Sequence, residues 1–197
     1  MNIAIFVYDN AEVLDFSGPF EVFSTASRVS PGQDVFTPFL VAERARPVVA
    51  RAGYTVLPDF CFQTHPGIDL LLIPGGVHTL QLERPGVLDW IAKQSAVAQH
   101  VASVCTGVFL LAGANVIRDE TVTTHWEDIP ALEQAFPSLS VVQDKRWVDQ
   151  GNLTTSGGIS AGIDMSLYLV GKFAGAALAK ITARQMDYDW QDQALIA

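Results

Sequence analysis

The sequence predicts an α/β fold, in which helices cover a largely parallel β-sheet. Short apolar runs, such as residues 69–73 ("DLLLI"), have the length and composition of strands that are buried on both faces. Segments with apolar residues at helical spacing lie between these runs, such as 15–28 with Phe16, Phe20 and Phe23. Alternation of strands and helices favours a parallel sheet, because each helix carries the chain back to the edge where the previous strand began.

The individual elements follow from these periodicities and from the turn residues between them. The predicted strands are 3–8, 37–42, 54–57, 69–73, 100–104 and 121–124, with shorter extended pieces at 141–142, 146–149 and 153–155. The predicted helices are 15–28, 82–98, 106–113, 126–136, 159–172 and 175–188. Tyr188 and Trp190 are expected to pack on the domain. We see no linker or low-complexity segment, so we expect residues 1–197 to form one domain.

Composition excludes several classes of function. The chain has 197 residues, of which 49% are hydrophobic, and a formal net charge of −9, so nucleic-acid binding is not expected. No apolar stretch approaches the roughly 20 residues of a membrane span, and the N-terminus "MNIAIFVYDN" predicts a strand rather than a signal peptide. Two cysteines far apart in sequence do not form a disulfide framework, so a cytoplasmic location is expected. The negative charge says little about a small neutral molecule, which is the expected partner.

The most informative residue is Cys105, which lies between the predicted strand 100–104 and the predicted helix 106–113. A sharp turn from strand to helix exposes its side chain at the carboxyl edge of the sheet, where ligands of such folds bind. Gly107 has no side chain, so this turn can lie close to neighbouring backbone. The N–H groups at the start of the helix are expected to lower the thiol pKa, which would make Cys105 a nucleophile. The alternative is a buried core cysteine.

Gly75 and Gly76 follow the strand 69–73, next to the predicted position of Cys105. Paired glycines allow two N–H groups to face one point, as in an oxyanion hole, although "PGG" is also an ordinary turn. Thr106 is expected to supply a second donor through its own N–H.

Asp15 lies in an apolar neighbourhood at the start of a predicted helix. Two interpretations remain open on the residues alone. The carboxyl group caps the helix, or it faces the thiol, in which case burial would raise its pKa and make it an acid or base. Glu12 and Glu21 are competing candidates for the second role.

The remaining candidates carry weaker signals. His125 follows a threonine-rich strand in "TTHW" and either packs against Trp126 or reaches the site, and Ser156 through Ser160 could line the cleft. Cys61 lies between two phenylalanines and is predicted to be a packing residue. The histidines show no metal-ligand spacing with one another or with the cysteines, so no metal site is expected.

In combination, "AEVLDFSGPFEVF", "DLLLIPGG", "SVCTGVFLLAGA", "TTHW" and "TSGGISAGID" resemble the DJ-1/PfpI superfamily of class I glutamine amidotransferase-like domains. The resemblance implies a flavodoxin-like three-layer α/β sandwich with a mostly parallel central sheet. It also implies that Cys105 is the elbow nucleophile and that Asp15 is its acidic partner. Members are commonly homodimers, so a homodimer is expected here.

Within the superfamily the sequence looks most like the isonitrile hydratases and the N-terminal domains of AraC-type regulators. The first branch implies a cofactor-free lyase, in which Asp15 protonates the isonitrile carbon, Cys105 attacks it to give a thioimidate, and Thr106 positions substrate and water. The second implies a non-catalytic sensing domain, and a glyoxalase- or deglycase-like stress protein is a third reading. The peptidase-like branch has His directly after its Cys, so Thr106 argues against peptide cleavage. DNA binding by this chain alone is not expected, because it ends at Ala197 without a helix-turn-helix module.

Overall fold

A computed structural model describes residues 1–32, 34–190, 192 and 194–196 of the chain, and no side chain beyond Asp192. The strands in this described part are β1 (Asn2–Phe6), β2 (Thr37–Ala42), β3 (Val48–Val49), β4 (Thr55–Val56), β5 (Phe60–Cys61), β6 (Leu70–Ile73), β7 (His100–Val104), β8 (Thr121–Val122), β9 (Ser140–Val141), β10 (Trp147–Asp149), β11 (Leu153–Ser156) and β12 (Ala194–Ile196). The helices there are α1 (Val13–Val29), α2 (Thr79–Leu82), α3 (Pro85–Ser95), α4 (Gly107–Gly113), α5 (Ile129–Ala135), α6 (Ala161–Ala174) and α7 (Ala176–Gln185), with 3-10 turns at Arg51–Gly53 and Trp126–Asp128.

The central sheet has the strand order β12-β10-β11-β7-β6-β1-β2-β5. Each paired strand runs parallel to its neighbour except β10, which is antiparallel to β11 across the turn at Gln150 and Gly151. The order β2-β1-β6-β7-β11 is the 2-1-3-4-5 arrangement of flavodoxin-like folds, as predicted. The switch point lies between β1 and β6, because the chain moves from β1 to β2 on one side and later to β6 on the other.

Burial explains why these strands occupy the centre. All four residues of β6 and all five of β7 are buried, as expected for parallel strands covered on both faces. One group of mutually contacting helices contains α1, α6 and α7, and another contains α2, α3 and α4. The aromatic side chains Tyr188 and Trp190 pack against the core as predicted, and the Trp190 indole donates a hydrogen bond to the Asp164 carbonyl oxygen.

The structure corrects several predicted elements. The helix expected over 82–98 is the shorter α3, which begins at Pro85, because proline has no N–H to donate and suits the first position of a helix. Leu82 instead ends the separate helix α2. The extended pieces β4 and β8 lie outside the central sheet, where they pair with β3 and β9. The helix expected over 126–136 begins as a 3-10 turn and becomes α-helical at Ile129. No segment was predicted at 194–196, where the structure has the edge strand β12.

Candidate active site

Cys105 occupies a strained turn between β7 and α4, as the sequence predicts. Its φ of 55° is in the left-handed region, which a side chain other than glycine rarely adopts. Neighbouring groups hold this conformation: the Cys105 N–H donates to the Ser156 carbonyl oxygen at 3.1 Å, and the Thr124 hydroxyl donates to the Cys105 carbonyl oxygen at 2.9 Å. The strain is therefore maintained by hydrogen bonds from two other segments of the chain.

Gly107 explains why the turn can be so tight. A Cβ atom at this position would lie 2.1 Å from the carbonyl oxygen of Ile73, at the end of the adjacent strand β6. Any larger residue would push α4 away from the sheet, so glycine is required for the close approach of α4 to β6.

Asp15 lies in the first turn of α1 and is fully buried. The N-cap of α1 is Glu12, and the two carboxyl oxygens of Asp15 instead accept hydrogen bonds from the N–H groups of Gly75 at 3.0 Å and Ile159 at 3.2 Å. The helix-capping interpretation of Asp15 is therefore wrong. Of the two competing carboxylates, Glu21 is exposed and accepts a hydrogen bond from Thr25, whereas Glu12 lines the cleft described below.

The Asp15 carboxyl and the Cys105 thiol perturb each other. Burial raises the pKa of Asp15 to about 7, against opposing contributions from its hydrogen bonds with Gly75, Ile159 and the Cys105 side chain. Burial and the negative charge of Asp15 raise the pKa of Cys105 well above that of a free thiol, although hydrogen bonds with Thr106 oppose this. The expected lowering of the thiol pKa is thus wrong for the free protein, because desolvation outweighs the donors at the start of α4.

These shifts define what the pair can do. Two anions side by side in a buried site are unfavourable, so the pair carries at most one negative charge, on an Asp15 carboxylate that the thiol hydrogen-bonds once the pH is above the pKa of Asp15. The carboxylate can accept the thiol proton when sulfur attacks a substrate, and it can then return that proton to another atom. A carboxyl group whose pKa lies near neutral pH can therefore act both as a base and as an acid.

Thr106 and the glycine pair form a closed hydrogen-bonded unit. The Thr106 hydroxyl accepts from the Gly76 N–H and donates to the Gly76 carbonyl oxygen, both at 3.0 Å. Since the Gly75 N–H donates to Asp15, both glycine N–H groups are already engaged. The prediction that Gly75 and Gly76 form an oxyanion hole is therefore not met by the geometry; they instead position Asp15 and Thr106.

His125 lines the cleft, so it is not a purely packed residue. Its imidazole lies against Gly158, where a Cβ atom would come within 2.1 Å of His125 Cδ2. Its Nδ1 is 3.6 Å from an Asp128 carboxylate oxygen and 3.8 Å from one of Glu127. The glycine at 158 thus allows His125 to face the cleft with two carboxylates beside it.

Ser156 and Cys61 lie elsewhere. Ser156 is fully buried in β11 and its hydroxyl donates to the Gly157 carbonyl oxygen at 3.1 Å, so the expected contact with substrate is not supported. Its carbonyl oxygen nevertheless accepts from the Cys105 N–H, which gives Ser156 a role in supporting the elbow. Cys61 is a buried free cysteine at the sheet edge, as predicted.

The cleft above Cys105 has a volume of about 380 Å³. Its lining includes three residues that the sequence did not single out, which are Arg51, Glu127 and Asp128, and it also includes Val77, His78, Thr79 and Ile159. Arg51 pairs with Glu12 at 2.9 Å, which leaves Glu127 and Asp128 as a net negative charge at the rim.

Ile159 has a φ of 55°, and no sequence signal identifies a β-branched residue in this conformation. The buried Tyr8 was also missed; the charges of Asp15 and Cys105 help to raise its pKa, after burial itself.

Two further properties concern ligands and location. In the described residues, no three His, Cys, Asp or Glu side chains converge as metal ligands would. Likewise, none of the described helices has the length and apolarity needed to cross a lipid bilayer.

Comparison with known proteins identifies relatives of this chain. The chain is 33% identical over 190 residues to isonitrile hydratase of Pseudomonas putida, covering 95% of this chain and 78% of that protein. It is 25% identical over 188 residues to the HTH-type transcriptional regulator GbdR of Pseudomonas aeruginosa, covering 95% of this chain but 51% of the regulator, so it spans about half of that protein. The crystal structure of a ThiJ/PfpI family protein from Pseudomonas syringae superposes with a TM-score of 0.85 at 28% identity, covering 95% of this chain and 75% of that one. The model of the DJ-1/PfpI family matches residues 1–172, and the chain belongs to that family.

Proposed function

We propose that the protein is a hydratase that converts an isonitrile, R–NC, and water into an N-substituted formamide, with Cys105 as nucleophile. The observation that carries this proposal is the buried Asp15 carboxyl, which hydrogen-bonds the Cys105 side chain and has a pKa of about 7. The isonitrile carbon must gain both a proton and a nucleophile, and this pair supplies both. The similarity to isonitrile hydratase of Pseudomonas putida supports the same chemistry.

In the first step, the Asp15 carboxylate accepts the Sγ–H proton of Cys105 and delivers it to the isonitrile carbon while sulfur attacks that carbon. The product is a thioimidate, R–N=CH–S–Cys105, with Asp15 again ionised. One C–H and one C–S bond form, the S–H bond breaks, and no oxidant, reductant or cofactor is required.

In the second step, water adds to the thioimidate carbon. Asp15 accepts a water proton and passes it to the nitrogen, giving R–NH–CH(OH)–S–Cys105. Collapse of this adduct breaks the C–S bond, the hydroxyl proton returns through Asp15 to sulfur, and R–NH–CHO leaves. The pair ends with the proton and the charge with which it began.

The cleft also fits this substrate class better than a substrate for acyl transfer. Acyl transfer needs free donors for an oxyanion, but the N–H groups of Gly75 and Gly76 are engaged by Asp15 and Thr106. The attack on an isonitrile forms no oxyanion. Partly exposed Val77 and Ile159 offer apolar contacts for R, and the negative rim disfavours anionic substrates.

The test is an assay of purified protein with cyclohexyl isocyanide, methylglyoxal and a peptide amide, with product identified by mass spectrometry. We expect N-cyclohexylformamide from the wild type and from Cys61→Ala, and none above background from Cys105→Ala. Cys61→Ala is the matched control, because it removes the other buried thiol. Turnover of methylglyoxal alone would favour glyoxalase-like chemistry, and either that result or formamide production by Cys105→Ala would refute the proposal.

A second candidate function is small-molecule sensing, which the similarity to the regulator GbdR favours. A sensing domain would bind a small molecule in the same cleft without turnover. Saturable binding of cyclohexyl isocyanide or methylglyoxal, weakened in Cys105→Ala and with no product, would support it. Multiple turnovers with any of the three assay compounds would exclude it.

A further inference from the structure

A second, smaller cavity lies beyond the carboxyl ends of β1 and β2 and shares no lining residue with the cleft above Cys105. We call it the arginine pocket and define it by its charged and amide-bearing lining residues, which are Asp9, Glu43, Arg44, Arg46, Gln81 and Arg84. Its volume is about 50 Å³. The carboxyl ends of parallel strands are where ligands bind in open α/β sheets, so its place in the fold is that of a ligand site.

The arginine pocket is positively charged, although the chain as a whole carries −9. Arg46 pairs with both oxygens of Asp9, at 2.6 and 3.3 Å, and Arg84 pairs with Glu43. Arg44 has no side-chain hydrogen bond or ion pair with any described residue. Three guanidinium groups and two carboxylates leave one positive charge, which Arg44 presents without a protein counter-ion.

Gln81 provides an independent observation. It is the third residue of α2 and only 5% exposed, yet its side-chain amide has no hydrogen-bond partner among the described residues. Among the described residues, the side-chain atoms that lack both solvent access and a hydrogen-bond partner are Ser95 Oγ, Ser103 Oγ and Trp147 Nε1. Since the amide atoms of Gln81 are not in this set, they reach solvent-accessible space. The amide therefore faces the arginine pocket, which is the accessible space that Gln81 lines. A buried amide normally has a partner, so the missing partner points to a ligand.

We propose that the arginine pocket binds a small oxoanion, either a carboxylate or a phosphate group. Arg44 and Arg84 supply charged N–H donors, and Gln81 supplies neutral ones from its amide nitrogen. A guanidinium has five N–H donors, so Arg84 retains free donors while it pairs with Glu43. The volume corresponds to roughly four water-sized probes, which is room for one such group rather than for a large organic ligand. This site is independent of the function proposed for Cys105.

Titration calorimetry on the whole chain tests this site, with inorganic phosphate and acetate as probes and sodium chloride at matched ionic strength as the blank. We expect one saturable site, and at least tenfold weaker binding in Arg44→Gln and in Gln81→Met. Arg44 is exposed, so its substitution should not disturb folding even if Gln81→Met does. Arg118→Gln is the matched control, since it removes one exposed positive charge elsewhere.

The two probes distinguish the source of the oxoanion. Binding of phosphate without acetate supports a phosphate ligand, and binding of acetate without phosphate supports a carboxylate ligand. The proposal is overturned if neither probe binds beyond the chloride blank, or if Arg44→Gln binds as the wild type does. Equal weakening by Arg118→Gln would attribute binding to overall charge and would overturn it too.

Discussion

The substitution Asp15→Asn tests the buried carboxyl directly through the pH dependence of stability. Asparagine has nearly the shape of aspartate but does not titrate. Burial raises the pKa of Asp15 from 3.8 to about 7, so the folded protein holds this proton more tightly than the unfolded chain. The stability that this bound proton contributes is fully present below the pKa of Asp15 in the unfolded chain. It is lost as the pH rises through the pKa of Asp15 in the folded protein.

The magnitude follows from the size of this shift. A pKa difference of about 3 units corresponds to about 4 kcal/mol over the full titration. Between about pH 5 and about pH 8 the wild type should lose about 3 kcal/mol through Asp15, and Asp15→Asn should not. The full shift applies, because the carboxyl group is completely buried.

Two other effects do not change this comparison. The asparagine NH2 must face the N–H of Gly75 or Ile159, which costs about 1–3 kcal/mol, but this cost does not vary with pH. Burial lowers the pKa of His100 to about 4, so stability rises with pH where His100 loses its proton in the unfolded chain. His100 contributes equally to both proteins, so the difference between them isolates Asp15.

The assay is urea unfolding of both proteins at several pH values, followed by circular dichroism. The unfolding free energy of the wild type minus that of Asp15→Asn should fall by about 3 kcal/mol from about pH 5 to about pH 8. A difference that stays constant within about 1 kcal/mol would show that Asp15 has an ordinary pKa. The acid–base role given to Asp15 would then fail.

Three further predictions concern the surroundings of this pair. Thr106→Val removes the hydroxyl that bonds the Gly76 N–H and carbonyl oxygen, so kcat/KM for isonitrile hydration should fall by about 10- to 100-fold, measured by formamide formation. Gly107→Ala places a Cβ atom 2.1 Å from a backbone oxygen and should lower the unfolding free energy by about 3 kcal/mol or more, measured by urea unfolding. Without substrate, alkylation of Cys105 by iodoacetamide should be slower at neutral pH than alkylation of a free thiol, because the pKa of the Cys105 thiol is raised. The rate should increase as the pH rises. Peptide mass spectrometry distinguishes alkylated Cys105 from alkylated Cys61.

Each of these predictions has a control. Thr106→Ser keeps the hydroxyl and should retain most activity, so an equal loss in Thr106→Val and Thr106→Ser would contradict the role of that group. Gly86→Ala adds a Cβ atom in open space, and a destabilisation as large as that of Gly107→Ala would contradict the close-approach argument. Alkylation of Cys105 faster than that of a free thiol at neutral pH would contradict the raised pKa.

Local patterns predicted the centre of the fold and the position of Cys105 in a turn from strand to helix. The apolar run 69–73, followed by glycine, is sufficient to indicate β6 and its exposed end, because a strand buried on both faces has few other solutions. Cys105 was found because it lies at the boundary between two periodicities, and Gly107 because a tight turn needs a small residue. These features depend on residues adjacent in sequence.

Other features depend on residues that are distant in sequence, and for these prediction failed. The direction of the Cys105 pKa shift depends on Asp15, 90 positions away, and on burial by several elements. The N–H of Gly75 is used by Asp15, and that partner cannot be read from "PGG". Ile159 has a strained conformation because the turn before α6 must reach Asp15, and its sequence gives no sign of this. Pairing between distant segments is also why β12 was missed.

The central claim is that Cys105 forms a covalent bond to the isonitrile carbon. Intact-protein and peptide mass spectrometry of the wild type, mixed with cyclohexyl isocyanide and quenched in acid at short times, tests it most directly. We expect an adduct of one isonitrile mass on Cys105, which forms and decays as N-cyclohexylformamide accumulates. Formamide accumulation without any adduct on Cys105, or with an adduct only on Cys61, would contradict it.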